Sequence, residues 1–70
     1  MLSRAMDAEL VRAYTDELAF LTARLNRRVG EMDKLDPEGL DFQHAVRAAD
    51  FLAGEIARAV QNLKGTAINR

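Results

Sequence analysis

Four arginines are the residues of this chain whose type and spacing bear most directly on chemistry. Arg24, Arg27 and Arg28 crowd one short stretch, and Arg47 falls at the height of Arg24 once the chain folds back on itself. A guanidinium presents a planar fork of donors that grips phosphate or carboxylate through paired hydrogen bonds. The group therefore describes an anion site, and a four-helix assembly would bring two such groups together into a symmetric one. The competing description is a solvated face whose arginines pair locally with neighbours such as Glu31 and Asp50. A second group gathers Asp33, Asp36, Glu38, Asp41 and the only histidine, His44. Asp41 and His44 are spaced i, i+3, so they share one helical face and could meet one ion. No second histidine stands with them, the calcium-loop spacing is absent, and there is no cysteine. The sequence thus predicts no metal and no cofactor. Ser3, Thr15, Thr22 and Thr66 have no histidine and acid arranged with them, and no glycine-rich phosphate loop occurs, so the expectation is a non-enzyme.

These groups need elements to hold them. From Asp7 to Leu35 apolar residues recur three or four apart: Val11, Tyr14, Leu18, Leu21, Leu25, then Arg28, Met32 and Leu35. That is a heptad seam with one polar interruption. Asp7 and Glu9 near its start complement the positive end of the helix dipole. At Arg28 the adjacent Val29 is expected to take over, because a straight helix rotates slowly out of heptad register.

The segment Asp36-Pro37-Glu38-Gly39 reads as a new helix start, with Asp36 as cap, Pro37 in the first helical position and Glu38 in the first turn. The second seam runs Phe42, Ala45, Ala49, Leu52, Ile56, Ala59 and Leu63, widened on one side by Val46, Ala53 and Val60. Gly65 reads as the stop. The organisation predicted is one helical hairpin over residues 1–70: helix one about 4–34, a turn at 35–36, helix two about 37–64, and a tail at 65–70. So short a connection sends the second helix back along the first, and residues at equal height then have numbers summing to about 71. Leu18 lies level with Ala53, Leu25 with Val46, and Val11 with Val60, so large residues meet small or branched ones. The fold class expected is all-α, a two-helix antiparallel hairpin that assembles into a four-helix bundle or a heteromeric helical clamp.

Two phenylalanines do not fit the seam. Phe20 lies about 200° around the helix from Leu18, Phe51 stands in the same relation to Ala49, and the two fall at one height. Ala13 lies near the first, Ala48 and Gly54 near the second. Isolated exposed apolar residues are common, but two aromatics at one level of a small hairpin describe a patch that docks a partner. Phe20, Phe51, Ala13, Ala48 and Gly54 are therefore the expected partner-binding residues.

Size and charge point the same way. A chain of 70 residues buries only roughly 60% of the surface its unfolded form exposes, and small folds usually need disulfides, a metal or oligomerisation as well. Ten basic against eleven acidic residues give a formal charge of −1, without the basic excess of a dedicated nucleic-acid binder. The longest charge-free stretch, Leu18 to Ala23, is far short of the ~20 residues that span a bilayer. Asp7, Glu9 and Arg12 interrupt any apolar run near Met1, so neither a signal peptide nor a membrane anchor is expected, and a cytoplasmic location is.

A hairpin of this length with Asp36-Pro37 at the turn, then Phe42-Gln43-His44 and Ile56-Ala57-Arg58-Ala59-Val60-Gln61-Asn62-Leu63, resembles the small helical proteins of type III secretion systems. The resemblance covers Asp36 to Leu63. Needle subunits are hairpins with an Asp-Pro or Asn-Pro turn, and needle co-chaperones are hairpins whose apolar face clamps a second chaperone. The resemblance implies a cytoplasmic co-chaperone or assembly component with an interface of Leu, Phe and Ala. The chain departs from needle subunits in its single proline, the short stretch before helix one and its shorter second helix. The alternative is a phage- or plasmid-encoded hairpin regulator that dimerises and binds a host protein, RNA or a small signalling nucleotide. In that alternative the arginines would be the anion site.

Overall fold

The computed structural model describes the backbone of residues 2–67 and the side chains of residues 8–67. Two helices, α1 (Leu2–Met32) and α2 (Leu40–Ala67), pack along their length as an antiparallel hairpin. The all-α two-helix hairpin read from the sequence is the one the chain adopts. Its long dimension is 55 Å and its cross-section 16 by 12 Å. The radius of gyration is 16.0 Å, against about 11 Å for a compact chain of this length. The molecule is a slab two helices wide and one helix thick.

The heptad spacing decides what the slab covers. Val11, Tyr14, Leu18, Leu21, Leu25 and Met32 on α1 are buried or half-buried, as is Leu35 beyond it, and so are all seven seam residues of α2. Leu21, Leu52 and Ala59 form the centre of the core, with Leu18, Leu25 and Ile56 packed against it. Arg28 interrupts the seam and stays exposed, pairing with Glu31 at 3.1 Å. The expected drift of the stripe to Val29 does not occur. Val29 is 52% exposed, and Met32 resumes the seam, because the pair has to hold its register over only about four heptads of each helix.

The widening of the second seam is also different. Val46, Ala53 and Val60 are exposed, while Ala48 and Glu55 on the opposite flank are half-buried. Being level with a residue on α1 does not cover them, since they stand one residue, about 100°, off the seam.

The turn departs from the sequence expectation for a local reason. Helix α2 starts at Leu40 rather than Pro37. The Asp36 carboxylate accepts the Glu38 N–H at 3.1 Å, and the Asp36 carbonyl accepts the Gly39 N–H at 2.9 Å. Asp, Pro and Gly at the first, second and fourth positions are what a β-turn favours. The same residues that announce a helix start are spent here on the turn, and Gly39 becomes the cap whose carbonyl takes the Gln43 N–H. A Cβ on Gly39 would lie 3.3 Å from the Asp36 carbonyl oxygen, so a larger residue there pushes on the turn. At the end of α1, the Lys34 and Leu35 N–H groups bond three residues back to Glu31 and Met32, the tightened last turn common at helix ends. Gly65 does not stop α2, which continues to Ala67. The rest of the predicted tail lies outside the described residues.

Two substitutions test this core. Leu52→Ala should cost about 2–5 kcal/mol, enough to abolish cooperative thermal unfolding by circular dichroism in so marginal a fold. Gly54→Ala should raise stability by about 0.4–1 kcal/mol, since a Cβ at Gly54 meets nothing within 4 Å, and a lowered melting point would contradict the open surface described.

Candidate functional site

The residues with chemical potential lie on the surface, and the helices separate some that the sequence groups. Arg24, Arg27, Arg28 and Glu31 line one shallow open depression of about 170 Å³ on α1. Arg47 is exposed on α2 and does not line it. Equal height is not proximity when two side chains leave from different sides of a helix pair.

Two of the arginines already have local company. Arg28 donates to Glu31, and the Arg24 guanidinium lies 5.7 Å from the centre of the Phe20 ring, a cation–π arrangement. Arg27 lines the depression with no ion pair of its own among those described. The depression can hold a small anion against one or more guanidinium groups, but it is solvent-open on every element. An ion there would be strongly screened.

Phe20 and Phe51 are 63% and 67% exposed, the latter the most exposed large apolar side chain among those described. Ala13 and Gly54 beside them are exposed, and Ala48 is half-buried. Their surroundings are mixed, with Glu17 and Arg24 near Phe20 on its helix and Arg47, Glu55 and Arg58 near Phe51 on its own. Arg58 and Glu55 pair at 3.7 Å. The aromatic residues therefore stand among both charged and small uncharged residues. The apolar face that sequence reading places in the hairpin seam, Val46 with Ala53 and Val60, lies open instead. Its signal was in the sequence, as a third apolar position in the heptad of α2.

Asp41 and His44 are both exposed near the start of α2, and among the described residues no three of His, Asp and Glu come together as metal ligands would. No described helix is long and apolar enough to cross a membrane. No protein-family model, curated protein or solved structure matches the chain.

Since Arg28 and Glu31 are about half exposed, Arg28→Ala should change stability by under about 1 kcal/mol. Denaturant unfolding would measure it, and a larger loss would show that the arginine group does more than solvate its face.

Proposed function

We propose that this chain is a non-enzymatic protein–protein interaction module, a hairpin that completes its core by pairing with a second helical surface in a four-helix bundle or a heteromeric clamp. Surface area carries the reading. The chain exposes 5623 Å², where a compact fold of 7.8 kDa exposes about 4,400 Å². The excess of roughly 1,200 Å² is more than the ~800 Å² that one partner covers in a standard interface. Seven large apolar residues lie on that surface against four in the buried core.

Two roles fit such a module. A co-chaperone or assembly component of a secretion system is supported by the resemblance over Asp36 to Leu63. An anion-binding regulator, with RNA or a small nucleotide as ligand, is supported by the depression that Arg24, Arg27 and Arg28 line. The absence of Arg47 from that lining and the engagement of Arg28 by Glu31 weigh against the second.

Thermal unfolding across a concentration series tests the pairing. A fold completed by association gains stability by mass action, so its midpoint should rise with concentration. A chain waiting for another partner should instead unfold early and without cooperativity. A monomer that melts cooperatively at a high, concentration-independent temperature would overturn the reading.

A further inference from the structure

Each helix carries an uncharged stripe that the other helix leaves open. On α2 it is Val46, Ala53 and Val60, each one residue after a buried seam residue, Ala45, Leu52 and Ala59. On α1 it is Ala8, Thr15, Thr22 and Val29, spaced seven apart, with Thr15 and Thr22 one residue after Tyr14 and Leu21. One residue is about 100° of rotation. In an antiparallel pair, equal rotations from the two seams lead to the same side of the slab, so the stripes make one face. Every one of these residues is exposed. The residues one step before the seam, on the other side, mix Glu17, Arg24, Glu31 and Glu55 with Leu10, Ala13, Phe20, Ala48 and Phe51, and on the near side Asp50 rims the stripe between Val46 and Ala53.

A hairpin needs only the two seam positions of each heptad. A third apolar position, repeated through the helix, belongs to a helix that touches two neighbours. The threonines do not spoil the face. The Thr15 hydroxyl donates to the Val11 carbonyl and the Thr22 hydroxyl to the Leu18 carbonyl, each at 2.7 Å, so covering them strands no donor.

We infer that this uncharged flank docks a second copy of the chain, two hairpins closing into a four-helix bundle about a two-fold axis. The inference rests on the pairing reading above and adds the occupant and the face. An uncharged face is best met by another, since a charged partner surface would bury unpaired charge there, and this chain presents such a face itself. The whole 55 by 16 Å side of the slab, about 900 Å² as a flat rectangle, has room for the ~800 Å² of accessible surface that one partner contributes to a standard interface. The ends are complementary as well. The turn end carries Asp33, Asp36, Glu38 and Asp41 against Lys34, and the described open end carries Arg12, Arg58 and Lys64 against Glu9 and Asp16, so the two ends differ in the sign of their charge. Copies stacked turn against open end bring those opposite charges together, in the self-complementary contact a two-fold axis demands.

The test is sedimentation analysis of the full chain over a concentration series, with two double variants. The native chain should be a dimer whose affinity weakens modestly as salt screens the exposed charges at its ends. Val46→Lys with Val60→Lys should weaken it by roughly a hundredfold or more, and Phe20→Ser with Phe51→Ser should leave it dimeric. Should the lysine variant not fold, cross-linking decides. The chain has no cysteine, and Ala53 lies near the middle of α2, so Ala53→Cys should cross-link to its copy through a short bismaleimide while Phe51→Cys should not. Dimerisation that survives the lysines, or cross-linking confined to the Phe51→Cys variant, overturns the inference. A poorly helical monomer at every concentration overturns self-pairing and leaves the interaction reading standing. A stably folded monomer overturns both.

Discussion

A single helix–helix seam can cover only one stripe of each helix, and most of what this molecule is follows from that limit. Packing two helices side by side buries residues at two heptad positions and covers the others partly or not at all. Leu21, Leu52 and Ala59 lie in the covered strip, and no larger structure stands behind it. Backbone hydrogen bonds inside α1 and α2 are satisfied whatever the surroundings, so helicity alone does not make the fold stable. In protein helices most stability comes from the packing of an apolar face.

The hairpin itself was legible in the sequence because its signal is periodic. Seam residues from Val11 to Leu25 and from Phe42 to Leu63 all turn inward, and the polar interruption at Arg28 is an exposed ion pair. Two local features were not legible. Asp36, Pro37 and Gly39 suit a helix cap and a β-turn equally, and only the hydrogen bonds to Asp36 distinguish them. Gly65 lies within α2, since a glycine costs a helix interior only about 1 kcal/mol and does not terminate it unaided.

Site reading from sequence fared according to how far it leaned on height. Numbers summing to a constant locate a residue along the slab but say nothing of which side it leaves from. Arg47 is level with Arg24 and yet lines a different surface. Val60 is level with Val11 and yet 44% exposed. Rotation about the helix axis is the missing coordinate, and in the sequence it appears only as the difference between two neighbouring heptad positions.

Glycine placement has a consequence for how long such a chain survives in a cell. Gly30, Gly54 and Gly65 interrupt the helices at sites where a side chain would meet nothing, so the helices give up stability with no packing gained in return. Helices weakened at such points open locally at low cost, and proteases act on open chain. Cleavage therefore finds the chain first at those three points rather than along the seam.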